Sequence, residues 1–545
     1  MTISRERKDE NTRTTGISIL IQSAVLPAGL LAALVYLRAG AGPFWQWNLL
    51  DPSYFYLLDG LNVLHGRPPG HIAHPGVTLE VLNALLMQVR HWGAGLDGLT
   101  HQVLADPETH LFLFSDAVIV LIFLGHWALG VLAYRSFGDL VPVLAVQLAP
   151  IMSTIVLKHA FVPRPESMVI VSTLILMTIL VTGLRYDHLA KHGLRFALAF
   201  GAAAGFAGAT KVTSAPIYIL PLLVVPGWRQ RVVYIAAAVG FFLLFMIPAW
   251  EAFPRIAEWI AKVAVGAGAH GEGAATVINT EHYPKALSKV LKRPSLRIPI
   301  SLALITLALA WWRQRKGAEI SAIETRVLAA VTVSQLVQAA VVAKHPVAFY
   351  MIPSYMLSAL SLLLSVRLLW MLRPAGRFLD RWGRHAGMLA VAGFIVAQVA
   401  ATIRLDDELS RLNRTALALD NNRFELCSRV YIYAASSPVF ALFLADEVTG
   451  NRFAARLAEL YPGNNYWIED WYDQMDVTFR NWKGPQDFEE VLNGSRCLYL
   501  RGNRPGGIER FIKKYAPGLE PSMNCAAGIE TVATIGVDCE GNVEQ

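Results

Sequence analysis

Charge is scarce in this chain, with 16% of its 545 residues charged against 54% hydrophobic. Cysteine does not occur before residue 427, and the basic N-terminus, with Arg5, Arg7 and Lys8, runs into a long apolar stretch with no A-x-A-like cleavage site. The shortage of charge excludes an ordinary soluble protein of this length, and the missing cleavage site makes the first apolar stretch a retained span rather than a signal peptide. What is abundant is hydrophobic sequence in recurring runs of about 17–25 residues, the length that crosses a bilayer as a helix. The chain therefore reads as a mainly α polytopic membrane bundle. Its formal charge of +7 is no nucleic-acid footprint, because the excess Arg and Lys fall in short loops, where such charge sets orientation.

Apolar runs near 16–39, 110–134, 139–157, 166–184, 194–209, 213–227, 232–250, 297–312, 326–343, 346–366 and 387–403 predict about eleven spans. With the N-terminus in the cytoplasm, the loops at Arg135, Arg185 to Arg195, Arg229 to Arg231, Arg313 to Arg326 and Arg367 to Arg384 are all cytoplasmic and all basic. This holds only if 77–90 does not cross. That segment is short, and Glu80, Asn83 and Arg90 form one polar stripe on an otherwise apolar cylinder, so it is expected to lie in the headgroup region. The expected division is a membrane domain over 1–403 and a domain outside the cytoplasm over 404–545.

All four cysteines (Cys427, Cys497, Cys525 and Cys539) fall in the tail, where an even count suits disulfides in an oxidising compartment. Arg429 to Ala435 is a β-rich run, Ser436-Ser437-Pro438 opens a helical pattern through Asp446, Cys497 to Leu500 is a second short strand, and Gly507 to Tyr515 is a basic amphipathic helix. Such alternation predicts a small α/β domain. Ser437 with Pro438 fits a helix N-cap, and the same junction could place hydroxyls and amides around a sugar or an anion. No GxGxxG, Walker or paired Cys/His motif accompanies the tail, so nothing argues for nucleotide binding there.

The unusual polar motifs sit at the ends of apolar runs, on one side of the membrane in this topology. Asp51, His71, His74, Arg164, Glu166, Lys211, Lys344, His345 and Tyr350 are the candidates. Asp51-Pro52 has the form of a helix N-cap and first turn, and Tyr54, Leu57, Leu58, Leu61 and Leu64 then supply an apolar stripe for a short helix lying flat on the membrane. Asp59 lies on that helix without beginning it. After a turn at Gly66 to Gly70 come His71, His74 and Pro75-Gly76, and then the second interfacial segment. Capping and catalysis are compatible roles for Asp51, since a carboxylate held by backbone amides keeps its orientation and its charge.

An Asp opening the first outside loop, an aromatic amphipathic helix, a Gly turn and a basic residue before Pro at a second interfacial helix: this order resembles the GT-C glycosyltransferases. The aminoarabinose transferases of lipid A and the protein O-mannosyltransferases are examples. The resemblance covers roughly 15–400 and is one of pattern. The family often has Asp-Glu where this chain has Asp51-Pro52, and Lys-Pro-Pro where it has His74-Pro75-Gly76. It implies transfer of a sugar from a polyprenyl phosphate carrier to a lipid, glycan or protein acceptor, with inversion, in a bacterial inner membrane with the tail in the periplasm. No cofactor is demanded, and a divalent metal stays open. Such a reaction needs a base for the acceptor hydroxyl, for which Asp51 is the candidate, and cations for the departing phosphate. Arg164, Lys211, Lys344, His345 and His74 are candidates for that second task, with Glu166, His71 and Tyr350 beside them.

Each of these has a structural alternative. Arg164 and Glu166 bracket a proline at a helix start, and Lys211 could snorkel. The loop 251–296, with Gly266, Gly268, His270, Gly271, Glu272 and Gly273, suits a mobile cover or a plain connection. Two other classes of function remain. A lipid-linked sugar flippase or other transporter would carry broken helices or polar residues near the midplane and inverted repeats. A noncatalytic surface receptor would bind through the α/β tail.

Overall fold

In the computed structural model the described residues are 2–46, 53–73, 75–185, 188–266, 282–372, 377–418, 424–432, 435–468, 478–502, 506–518, 522–523 and 530–538. Among them, nine helices are long and apolar enough to cross a membrane: Ile17–Ala41, Pro107–Phe137, Pro165–Gly183, Gly193–Thr210, Trp228–Phe245, Pro294–Arg315, Ala322–Val342, Ala348–Leu372 and His385–Leu417. Two runs expected as spans are broken instead. The stretch 139–157 becomes Leu140–Gln147, a 3-10 turn at Ala149–Ile151 and Thr154–Ala160, with Ser153 capping the last piece through Ile155 N at 3.3 Å. The stretch 213–227 becomes the 3-10 helix Val212–Ile219 and the short helix Leu220–Val224, and Pro216 and Pro221 withhold amides an unbroken α-helix would use.

The chain falls into two compact units. One comprises Met1–Leu37, Ile72–Val81 and Ser115–Leu405; the other comprises Arg38–His71, Leu82–Phe114 and Asp406–Gln545. The tail unit therefore takes in two pieces of the N-terminal part as well as everything after Leu405.

In the first unit, helix Gly193–Thr210 lies against Trp228–Phe245 at a spacing set by glycine. A Cβ on Gly201 would stand 2.4 Å from Ala237 Cβ, and one on Gly205 would stand 2.5 Å from the Phe242 backbone nitrogen. Small residues of this kind let membrane helices approach closely. Helix Ile352–Leu372 is the buried centre, packed by Pro165–Gly183, Pro294–Arg315 and Ala322–Val342. Gln335 Nε2 donates to Ser354 O at 2.8 Å, Ser354 Oγ donates to Gln338 Oε1, and Gln338 Nε2 donates to Tyr350 O at 2.7 Å. This polar ladder ties helix Ala322–Val342 to the segment that carries Tyr350.

The second unit holds a seven-stranded sheet of order β4-β3-β2-β1-β5-β7-β6. The strands are β1 Ser428–Ile432, β2 Asn465–Ile468, β3 Arg480–Asn481, β4 Gly484–Pro485, β5 Leu498–Gly502, β6 Ser522–Met523 and β7 Thr531–Ile535. β1 runs parallel to β2 and β5, and β7 runs antiparallel to β5. Val430, Ile432, Leu498, Leu500 and Ala533 form one face, covered by Phe488 and Phe511 from the helices Phe488–Gly494 and Gly507–Tyr515. Phe424, Tyr499 and Val532 form part of the other core, beside the Cys427–Cys497 disulfide. Cys525 and Cys539 lie outside the described residues. Ser437 caps helix Pro438–Val448, accepting from Phe440 N, and Ser436 bonds Glu530, which also pairs with the buried Arg501. The junction is thus occupied by a cap and an internal ion pair.

The two helices expected at the membrane interface are more enclosed by protein than their sequence patterns imply. Helix Tyr54–Leu64 does not leave one face exposed: Tyr54 through Asn62 are all buried, and it packs on Pro438–Val448. Helix Val77–Arg90 turns Glu80 and Asn83 of its polar stripe inward, while Arg90 at its end is exposed and Val89 is 67% exposed. The inward turn follows from hydrogen bonding, since Asn83 Nδ2 finds Tyr56 O at 3.2 Å inside the protein. The loop 251–296 also contains structure, namely the helices Phe253–Val265 and Tyr283–Leu291, while 267–281 lie outside the described residues.

Candidate functional site

Helix Gly193–Thr210 stops at Lys211, whose backbone is extended (φ −160°, ψ 114°) before the 3-10 helix Val212–Ile219 begins. The extended residue is bridged by Pro75. Gly76 N donates to Thr210 O at 3.1 Å, and the hydroxyls of Thr78 and Thr210 bond at 2.7 Å. Gly76 has φ +69°, a region that costs a side chain dearly, so glycine here allows the chain to leave the bridge and enter helix Val77–Arg90. The Pro75-Gly76 end of the first loop is thereby tied to the break that presents Lys211.

Arg164 is the N-cap residue of helix Pro165–Gly183, Pro165 occupies its first turn, and Glu166 follows. Lys211 Nζ is hydrogen-bonded and ion-paired to Glu166 Oε1. Lys211 is 2% exposed and Glu166 4%. The carboxylate lies in the first turn of its helix, where free amides and the helix dipole favour negative charge. The ammonium lies 5.1 Å from the Tyr350 ring centroid and 5.3 Å from that of Phe349, a cation–π arrangement in a desolvated setting. Arg164 is also buried.

The structure brings Glu166, Lys211 and Tyr350 together and ties Pro75-Gly76 to them. Lys344 is engaged differently, its Nζ donating to Ala264 O at 2.5 Å, and His345 follows it at the C-terminal end of helix Ala322–Val342. His71 belongs to the other unit, where its ring stands 5.1 Å from Phe55 and 5.5 Å from Tyr56. Asp51 and His74 lie outside the described residues. The helix expected to start at Asp51 begins at Tyr54, with Ser53 in the N-cap position.

Sequence reasoning overlooked three residues. Asp59, taken as a bystander, is fully buried and accepts from Gly70 N at 2.7 Å, His71 N at 2.9 Å and Asn62 Nδ2 at 2.9 Å. Burial pushes its pKa up to about 6 despite those three donors. Glu108 accepts from Phe44 N, Trp45 N and Tyr54 Oη, at 3.0 Å, 3.2 Å and 2.7 Å, so it grips the chain on both sides of 47–52. His159 packs its ring 5.0 Å from Phe349, the ring that Lys211 approaches. The only sequence signal for His159 was its place just ahead of Val-Pro-Arg-Pro-Glu. Among the described residues, no group of three or more His, Cys, Asp or Glu is placed to hold a metal ion.

No family model and no curated protein matches this chain. Among solved structures, it is similar to the crystal structure of ArnT from Cupriavidus metallidurans bound to undecaprenyl phosphate, at 14% identity and a TM-score of 0.48, over 94% of this chain and 97% of that one.

Proposed function

We propose that this protein is a membrane glycosyltransferase that moves a sugar from a polyprenyl phosphate carrier to an acceptor hydroxyl outside the cytoplasm. The observation that carries this reading is the buried Lys211–Glu166 pair beside Tyr350, at a helix break tied to Pro75-Gly76. A lysine this desolvated is costly unless its charge has use, and a cation fixed at the end of an apolar helix suits a phosphate whose lipid tail lies among the spans.

In the reaction, Asp51 takes the proton of the acceptor hydroxyl as its oxygen attacks the anomeric carbon. The bond from that carbon to the phosphate oxygen breaks, and the carrier leaves as polyprenyl phosphate with its added negative charge met by Lys211 and Arg164. A single displacement inverts the anomeric configuration. Tyr350 and Phe349 wall the ammonium and Glu166 orients it; His71, His74, Lys344 and His345 are proposed as further substrate contacts on the strength of the sequence. The tail is placed in the periplasm of a bacterial inner membrane, following the basic loops and the cysteines.

The test is mass spectrometry of lipids that copurify with the protein, followed by incubation with the lipid found. A polyprenyl monophosphate bearing one sugar, converted to free polyprenyl phosphate and glycosylated acceptor, is the expected result. A lipid-linked sugar that crosses vesicle membranes with its sugar bond intact would favour a flippase instead, a reading to which the helix break at Lys211 lends some support.

A further inference from the structure

The short helix Thr154–Ala160 carries Lys158 and His159 in its last turn, just before the Arg164-Pro165-Glu166 corner. His159 is buried, its ring lies against Phe349, and its Nδ1 is enclosed with no hydrogen-bond partner among the described residues. Lys211 stands against the same Phe349 ring, so one aromatic side chain is flanked by the imidazole and the ammonium. Buried polar atoms are nearly always bonded, so an imidazole nitrogen left open against the ring that Lys211 also approaches points to a missing partner, and in the Nδ1–H tautomer that partner is an acceptor.

We propose that His159 is a further contact for the anionic headgroup bound beside Lys211, its Nδ1–H donating to a phosphate oxygen of the polyprenyl carrier. This rests on the glycosyltransferase reading and adds a residue to it. The charged groups facing the imidazole are Lys158 on its own helix, Arg164 and Glu166 at the start of the next, and Lys211 at the break. Burial first, and then Arg164, hold its pKa down at about 3, so the ring is neutral while the site is empty. An arriving phosphate dianion opposes those cations and replaces lost solvation with a hydrogen bond. Binding then draws a proton from solvent onto His159. A phosphate monoester near pH 7.5 is already mostly dianionic, its second pKa being about 6, and cations keep it so; the ligand itself takes up no proton.

The experiment is calorimetric titration of the full-length protein in detergent with farnesyl phosphate at pH 7.5, in two buffers of different ionisation heat. Farnesol and inorganic phosphate serve as comparison ligands. The expected result is proton uptake with farnesyl phosphate and none with farnesol. His159→Asn and His159→Phe should abolish the uptake and weaken farnesyl phosphate about tenfold. Parental affinity and uptake in folded variants, or no uptake in the parent, would overturn the role of His159 alone. If both substitutions fail to fold, His159→Gln makes the same comparison: farnesyl phosphate bound without proton uptake is expected, and uptake equal to the parent's would overturn the role. A parent that does not bind farnesyl phosphate at all would overturn the lipid-donor reading as well. Inorganic phosphate binding as tightly as farnesyl phosphate would assign the site to free phosphate and not to a lipid.

Discussion

Removing either partner of the Lys211–Glu166 pair separates a structural from a chemical role. Both side chains are nearly inaccessible, so a single neutralising substitution strands a charge in a medium of low dielectric. Losses of about 3–5 kcal/mol are usual for breaking a buried pair from one side. The two losses should differ. In Lys211→Met the Glu166 carboxylate keeps the amides of its helix start, whereas in Glu166→Gln the ammonium keeps, among the described residues, a neutral amide oxygen and the faces of Phe349 and Tyr350. Glu166→Gln should therefore be the more destabilising, and the double variant should recover most of the stability. Transfer should not recover, because a cation aimed at a departing phosphate is worth roughly 10²–10³ in rate. Thermal melts in detergent and transfer rates on the same preparations make the comparison. A double variant that transfers at the parental rate would refute the chemical role, and single variants that melt like the parent would refute the burial argument.

Three further outcomes follow from the fold. The Cys427–Cys497 bond closes a separation of 70 residues, and replacing both with Ser should cost about 4 kcal/mol on a chain-entropy basis, read by denaturant titration of the full-length protein. Asp59 and Asp446 both have pKa values raised by burial to about 6, so each contributes stability that is fully present below the ordinary carboxylate pKa near 4 and is lost as pH rises through 6; melting of this unit should be higher at pH 5 than at pH 7, and Asp59→Asn should flatten that slope. Gly205→Ala should destabilise by about 1–3 kcal/mol through overpacking, while Gly240→Ala, with nothing within 4 Å, should stabilise by about 0.5–1 kcal/mol, both by thermal melt.

Hydropathy made most of the membrane part legible, because a span must be apolar whatever it packs against. The pieces it misread are those where proline and local capping decide: Pro150 and Ser153 break one run, Pro216 and Pro221 another. The tail was legible at β1, at helix Pro438–Val448, at β5 and at helix Gly507–Tyr515, where turn residues punctuate strong runs. Glu166, Lys211 and Tyr350 stood out because charge or phenol at an apolar end is rare. His159, Asp59 and Glu108 did not, since their meaning lies in partners distant in sequence, such as Phe349 for His159 and Phe44 for Glu108. The inward stripe of helix Val77–Arg90 illustrates the same limit: periodicity identified the stripe, but only the tertiary partners decided which way it faced.

Asp51→Asn is the most direct measurement of the central claim, that a carboxylate in the first loop activates the acceptor for sugar transfer. Asn is nearly the same size and shape as Asp and still hydrogen-bonds, but it cannot take the proton. The proper control is Asp97→Asn, because Asp97 is exposed and only pairs with Arg456 at 3.2 Å, a surface contact worth at most about 1 kcal/mol; Asp59 is unsuitable, since it holds Gly70 and His71. Assayed on the copurifying lipid donor after melts establish folding, Asp51→Asn should transfer roughly 10²–10⁴-fold more slowly while Asp97→Asn keeps the parental rate. Parental transfer by Asp51→Asn would contradict the account.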